Sequence, residues 1–361
     1  MRKTVSISQQ ASPKKPRRQS TKSHIGHLHS DNVVSTRKLV SCLQRFPQAK
    51  VLVIGDLILD HYIWGHVHRI SPEAPVPIVH VDSESLHLGG AANVFQNVVA
   101  LEGQADICGV VGLDDNGRVL LKKLGLRRQH RGGVIIDSDR PTTRKTRILA
   151  NSQQIVRYDV EQRHDVSEKT THQILHYVQS CLSDISCLVI SDYAKGVVTP
   201  LLMHELNQMV GRHRIPLVVD PKIEHFPYFA NATVMTPNYD EATQGVHYLM
   251  GNAETKEEPG HLLREKLGCE AVLVTQGSQG MTLCEEGKTI DIPAVARQVY
   301  DVTGAGDTVV STMALALSTG ASIHEGAVLA NHAAGQVVGM VGTASITRAH
   351  LKNTIQQVPL S

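Results

Sequence analysis

What most limits this chain's fold is a regular alternation of short β-branched runs with helix-length segments between about residues 168 and 339. The runs Cys187–Ser191, Pro216–Val219, Thr233–Met235 and Ala271–Thr275 read as buried strands, and helical spacing fills the stretches near 168–183, 200–212, 257–267, 305–319 and 323–339. Upstream, Lys50–Ile54 ending in Gly55-Asp56 and Ala105–Val111 ending in Gly112 are two more strands, each followed by a helix-length segment. Strands that alternate with crossover helices demand a largely parallel sheet with helices on both faces. In such a sheet the loops past the strand C-termini share one edge, where open α/β sheets place ligands. Asp56, Asp192, Lys195, Asp220, Lys222, Asn238 and Glu241 all fall just past a strand.

Two segments break this rhythm. Residues 61–88 hold Tyr62-Ile63-Trp64 and Val76–Val81, extended pieces separated by Ser-Pro and Ala-Pro, and residues 133–159 hold another extended set. Together they predict one small β-sheet outside the main one, serving as a lid or as a dimer surface.

Charge is unevenly spread. Residues 1–30 carry seven Lys/Arg and no acid, and subtracting those seven from the net charge of +2 leaves −5 for the remainder. The folded part therefore lacks a basic footprint for nucleic acid. The polar, Ser- and Lys-rich start (about 1–36) reads as a disordered tail ahead of a single domain over 37–361, with a transit peptide as the alternative. Without a secretory apolar core or a membrane-length apolar run, a cytoplasmic protein is expected. The six cysteines form no Cys-x-x-Cys pair and read as buried, reduced thiols. His24-Ile25-Gly26-His27 matches a nucleotidyltransferase motif, but no strand precedes it, and the match reads as accidental.

The run Asp301-Val302-Thr303-Gly304-Ala305-Gly306-Asp307 opens a helix. Its glycines permit a sharp turn, and the first amides of the helix are unpaired donors in a positive dipole field, a place for an anion. Asp307 either caps that turn or takes a proton there. Asn238 and Glu241, three apart at a helix start, either hold Mg²⁺ directly or through water, or cap the helix. The turn after Thr275, from Gly277 to Gly280, either lets backbone approach a nucleotide or is an ordinary turn. No Gly-x-x-x-x-Gly-Lys-[Ser/Thr] run occurs, so a Walker-type site is excluded.

On these motifs the chain resembles the ribokinase-like (PfkB) family of sugar kinases over roughly residues 48–347. Asp301–Asp307 matches its C-terminal signature, Gly89-Gly90-x-x-Asn93 its sugar-side motif, and Asn238-x-x-Glu241 its metal-linked motif. More narrowly, Ser71–Pro77, Ser191–Gly196, Val219–Lys222 and Gly342-Thr343-Ala344 resemble the heptose 7-phosphate kinase domain of the ADP-heptose pathway.

That resemblance implies a ribokinase-like α/β fold with a β-sheet lid, and ATP-dependent phosphorylation of D-glycero-D-manno-heptose 7-phosphate at its anomeric oxygen. Asp307 would be the catalytic base, with Gly304, Ala305 and Gly306 as the anion hole. Asp56, Gly89, Gly90 and Asn93 would hold the sugar. Lys195, Lys222 and Arg144, with Lys145 and Arg147, would meet its phosphate or remain surface charges. Thr275, Gly277, Gly280 and Asn331 would line the nucleotide side, with a plain helix contact as the alternative for Asn331. The implied cofactors are ATP and Mg²⁺, with a monovalent cation in many members, and the implied partners are a second copy of the chain and a separate adenylyltransferase. A kinase for another sugar, or a non-catalytic sugar-phosphate sensor, are the rival expectations.

Overall fold

The computed structural model describes residues 34–126, 133–151, 153–251, 257–295, 302–340 and 344–357. The basic segment 1–30 with its His24–His27 run, Asp301 and Gly342-Thr343 lie outside the described residues. The main sheet has nine strands in the order β13-β12-β11-β10-β9-β8-β1-β4-β5. These are β1 (Lys50–Gly55), β4 (Gln104–Gly112), β5 (Val134–Asp137), β8 (Cys187–Ser191), β9 (Leu217–Asp220), β10 (Val234–Met235), β11 (Ala271–Thr275), β12 (Gly280–Glu285) and β13 (Lys288–Pro293). From β11 to β5 every neighbour is parallel, and β12 and β13 add an antiparallel edge. The chain leaves β1 toward β4 on one side and resumes at β8 on the other, so a switch point lies between β1 and β8.

Strand alternation divides the core in two. Val51, Val53 and Val189 point to one face, against helices α1 (Thr36–Arg45), α2 (Ala91–Ala100), α3 (Asp115–Leu124), α8 (Ala305–Ser318), α9 (Ile323–Val337) and α10 (Arg348–Gln357). Leu52, Ile54, Leu188 and Ile190 point to the other, against α4 (Glu168–Cys181), α5 (Pro200–His213), α6 (Tyr239–Met250) and α7 (Pro259–Leu267). Fully burying each such side chain stabilises the fold by about 1.5–3 kcal/mol. The sequence reading places no helix before β1. α1 forms there because Leu39, Cys42 and Leu43 recur on one side and bury fully. All six cysteines are buried and free.

The second sheet has four strands, β3-β2-β6-β7, made of β2 (Leu57–Ile70), β3 (Pro77–Gly90), β6 (Thr143–Ala150) and β7 (Gln153–Val160). It joins the two segments expected to form a lid, with two corrections. β5 belongs to the main sheet, where its apolar run pairs parallel with β4 at the edge. The β2–β3 hairpin also starts earlier and ends later than 61–88, so Leu57 pairs with Gly90 and Ile58 with Gly89. The hairpin therefore delivers the Gly89-Gly90 pair directly to the edge of the main sheet beside β1.

Candidate active site

The switch point is where two helix N-termini meet. Gly90, at φ +57°, ends β3 and caps α2, and a Cβ there would lie 2.5 Å from the Asp56 carbonyl. Gly304, at φ +81°, caps α8 in the left-handed region that disfavours other residues. Each helix thereby directs its first turn inward, α2 presenting Asn93 and α8 presenting Asp307. Asn93 Nδ2 donates to Asp307 Oδ2 at 2.6 Å, and the Tyr193 hydroxyl donates to Asp307 Oδ1 at 2.9 Å. Asp307 is buried, which pushes its pKa up to about 6 although both donors pull it down.

At the first turn of α8, the Ala305 amide donates to the Val302 carbonyl and the Thr308 amide to Gly304, while the amides of Gly306 and Asp307 have no carbonyl partner among the described residues. A Cβ at Gly306 would meet nothing within 4 Å. Open space beside unpaired amides at a helix N-terminus is the geometry of an anion pocket.

Asp56, expected to hold the sugar, supports the loop after β8. Its Oδ2 accepts from the amides of Tyr193 (2.9 Å) and Lys195 (3.0 Å), and its Oδ1 from that of Val197 (3.2 Å). The carboxylate is thus committed to folding the loop after β8. Burial, and then the charge of Asp192, push its pKa up to about 6 against those three bonds. Asp192 has the same task. Its Oδ1 accepts from the Ala194 amide (2.9 Å), and its Oδ2 from the Lys222 amide (3.1 Å) and His225 Nδ1 (2.9 Å). Ala194 is held at φ +53°, a conformation a non-glycine residue adopts only when its surroundings dictate it.

Of the expected cations, the structure brings some to this edge and not others. Strand period two sends Lys145 and Arg147 of β6 to the face that carries Asp60, opposite Lys145 in the register of β2 and β6. Arg147 Nη1 donates to Asp60 Oδ1, and Lys145 Nζ lies 5.2 Å from the Tyr193 ring centre. Arg144, just before Lys145 in the strand, points to the opposite face. It reaches Asn116 Oδ1 at 3.4 Å and lies over Tyr158. Lys195 Nζ donates to Glu161 Oε1 at 3.0 Å, and Lys222 pairs with Glu241 while lying 5.8 Å from the Tyr193 ring centre.

Asn238 and Glu241 form a reciprocal capping box at the start of α6, with Asn238 Oδ1 accepting from the Glu241 amide (2.9 Å) and Glu241 Oε2 from the Asn238 amide (3.0 Å). Thr275 bridges to Asn238 at the end of β11, and the short 3-10 turn that follows begins at Gly277 and is capped by Gly280. Asn331 of α9 donates through Nδ2 to the Pro293 carbonyl at 2.7 Å, tying α9 to the end of β13.

Sequence reasoning missed Asp60 and Tyr193 as site residues. Asp60 is buried, and the absent side chain of Gly89 makes its room, since a Cβ there would lie 2.1 Å from Asp60 Oδ2. The available signal was the second Asp four residues after Asp56, in a strand whose face the Gly89-Gly90 pair adjoins. Tyr193 sits in the loop beside Asp192, and its side-chain direction has no sequence signature.

Comparison with known proteins agrees with this geometry. Residues 48–349 match the pfkB family carbohydrate kinase model. The chain is 40% identical over 317 residues to the bifunctional protein HldE of Trichlorobacter lovleyi, covering 87% of this chain and 65% of that protein. It is 41% identical over 305 residues to that of Geobacter sulfurreducens, covering 84% and 62%. The chain thus spans a little under two thirds of the length of the curated relatives it matches. The structure of Arabidopsis thaliana ribokinase complexed with ribose and ATP superposes with a TM-score of 0.65 at 20% identity, covering 86% of this chain and 99% of that one. With a ribokinase-like sheet, a β lid and a buried aspartate at a glycine-capped helix N-terminus, the chain belongs to the pfkB family and is a carbohydrate kinase.

Proposed function

We propose that the chain transfers the γ-phosphoryl of ATP to the anomeric oxygen of D-glycero-D-manno-heptose 7-phosphate, giving heptose 1,7-bisphosphate for ADP-heptose and lipopolysaccharide core synthesis. The observation that carries this reading is the placement of Asp307. It is a buried carboxylate at the N-terminus of α8, fixed by two donors, beside first-turn amides without a carbonyl partner among the described residues and with Lys145 among the charges that face it. A base with a pKa near 6 is mostly ionised at neutral pH yet still accepts a proton. In this mechanism Asp307 takes the proton from the anomeric hydroxyl as that oxygen attacks the γ-phosphorus. The bond from that phosphorus to the bridging oxygen breaks, and ADP leaves. The amides of Gly306 and Asp307 stabilise charge on the transferred group, while that of Ala305 stays on the Val302 carbonyl.

Asn93 Oδ1 is buried and without a partner among the described residues, which suits a sugar hydroxyl. Lys145, Arg147, Lys195 and Lys222 are the cations for the remote phosphate. The narrower substrate rests on the runs Ser71–Pro77, Ser191–Gly196 and Val219–Lys222 and on the 40% identity to bifunctional HldE proteins.

Mg²⁺ fits the oxygen donors on this edge when held through water. Asn238 Oδ1 and both Glu241 oxygens already have protein partners, so direct ligation would cost the capping box. Asp220 is buried among the carboxylates of Asp307, Glu241 and Asp192, with Lys222 as its cation, and its pKa is raised by burial and then by Asp307; a divalent cation bound nearby would favour its ionised form. Bound there, Mg²⁺ would supply neutralisation of charge on the phosphate oxygens. Gly277, Gly280, Thr275 and Asn331 would flank the nucleotide.

A homodimer through the lid sheet, a downstream adenylyltransferase and a cytoplasmic location complete the reading. Among the described residues no helix is long and apolar enough to cross a membrane.

A substrate panel tests the proposal. ADP release with heptose 7-phosphate, run with both anomers, is expected to exceed that with ribose, fructose 6-phosphate or other hexose phosphates. Turnover of those sugars without turnover of heptose 7-phosphate would replace this substrate with another sugar or sugar phosphate.

A further inference from the structure

Tyr193 is tied more firmly than a loop residue requires. Four amides between Tyr193 and Val197 are spent on two buried aspartates, those of Tyr193, Lys195 and Val197 on Asp56 and that of Ala194 on Asp192. The ring they aim is flanked by two ammonium groups, Lys145 from the lid at 5.2 Å and Lys222 from the main sheet at 5.8 Å. Its hydroxyl ends on Asp307 Oδ1 at 2.9 Å. We infer that Tyr193 is a positioning residue for phosphoryl transfer, fixing one oxygen of Asp307 and holding that carboxyl in its proton-accepting form. This rests on Asp307 being the base.

Toward Asp307 the hydroxyl acts as the donor. Burial first, then the charges of Asp307 and Asp220, hold it protonated well above the usual tyrosine range. Asp307 meanwhile faces Asp60 and Lys145 from the lid, Asp220 from the end of β9, and the neutral amide of Asn93 from α2; Lys222 lies against the Tyr193 ring. Among these neighbours, two donate hydrogen bonds to the carboxylate, Asn93 on Oδ2 and Tyr193 on Oδ1. A donor to the charged form lowers a carboxyl pKa, so removing the hydroxyl raises it.

Tyr193→Phe keeps the ring for both ammonium groups and keeps every loop amide. The pH profile of kcat/KM with ATP and heptose 7-phosphate, or with whichever panel sugar is turned over, should show its acid limb moved up by about one pH unit. Turnover at pH 6.5 then falls roughly 3-fold while that at pH 9 stays near wild type. A ¹³C-carboxyl titration of Asp307 in the substrate-free protein should show the same rise. An unmoved acid limb, or an unmoved carboxyl titration, overturns the inference. Asp307→Asn separates the two readings. If it retains turnover, the base assignment fails; if it is inactive while Tyr193→Phe leaves the profile in place, only the role of Tyr193 fails.

Discussion

Asn93 and Asp307 lie 214 positions apart in the chain, yet a 2.6 Å hydrogen bond joins them, each from the first turn of its helix. Two helix N-termini therefore converge on one carboxylate. Their partial positive charges favour its ionised form, while burial opposes it. The balance lies at a pKa of about 6.

Replacing Asp307 with Asn keeps size and one acceptor but removes the proton acceptor. kcat should fall at least ~10²-fold, while sugar binding measured by calorimetry persists. A sugar affinity lost in parallel with kcat would assign Asp307 to binding instead, and unchanged turnover would remove it from the mechanism.

The same variant should alter how stability depends on pH. The carboxyl of Asp307 rises from the usual 3.8 to about 6 on folding, so the folded state binds its proton more tightly than the unfolded one. Its favourable contribution is complete below the unfolded value and is lost as pH climbs through about 6. Urea unfolding of wild type and Asp307→Asn should show the variant gaining on wild type by up to about 3 kcal/mol between pH 4 and pH 7.5. Parallel pH curves for the two proteins would contradict a buried, charge-averse carboxyl.

Much of this is legible in the sequence. Alternating apolar runs fix the parallel sheet, because each crossover helix must return over one face, and the polar residues past Gly55, Ser191 and Val219 mark the edge where ligands bind. Side-chain direction was less accessible. Arg144 and Lys145 look equivalent as letters, yet the strand pleat sends only Lys145 toward Tyr193. Asp56 illustrates the converse. Its place at a strand end marks it correctly as part of the site's frame, but three amides from a loop some 140 residues away take up its oxygens. Long-range backbone partners of this kind leave no local pattern. The lid shows a third limit: extended segments announce themselves, but which sheet each joins depends on pairing, and β5 joined the main one.

Gly306 separates folding from phosphate binding. A Cβ there meets nothing within 4 Å among the described residues, and alanine is the better helix former by up to ~1 kcal/mol. Gly306→Ala should therefore melt at or above the wild-type temperature while its phosphoryl transfer falls, chiefly through a raised KM for ATP or a lowered kcat. Normal kinetics in a folded Gly306→Ala protein would mean that the open space beside this turn holds no phosphate.

The lid sheet should mediate self-association. Val81 of β3 and Val156 of β7 are 54% and 46% exposed, and both lie on strands whose outer edges have no neighbour among the described residues. Light scattering at micromolar concentration is expected to give a dimer, and Val156→Glu to shift it toward monomer. A wild-type monomer under those conditions would rule the dimer out.

His225 links stability, pH and the site. Burial works against its protonation, but the hydrogen bond and charge of Asp192, with the charges of Glu224 and Asp56, together outweigh this and raise its pKa above the usual imidazole value. Asp192 in turn orders the amides of Ala194 and Lys222, so the loops carrying Tyr193 and Lys222 share this one support. A raised histidine pKa contributes stability that is fully present below about 6.5 and is lost as pH rises through the folded value. His225→Gln should therefore cost about 1–2 kcal/mol of unfolding free energy at pH 6 and less at pH 8.5. It should also lower kcat at pH 6 more than at pH 8.5, because the loop that aims Tyr193 loosens most where the charged donor was present. A stability loss that is the same at both pH values would mean that His225 acts by packing on Tyr228, whose ring centre lies 5.0 Å away, and not through the charge it shares with Asp192.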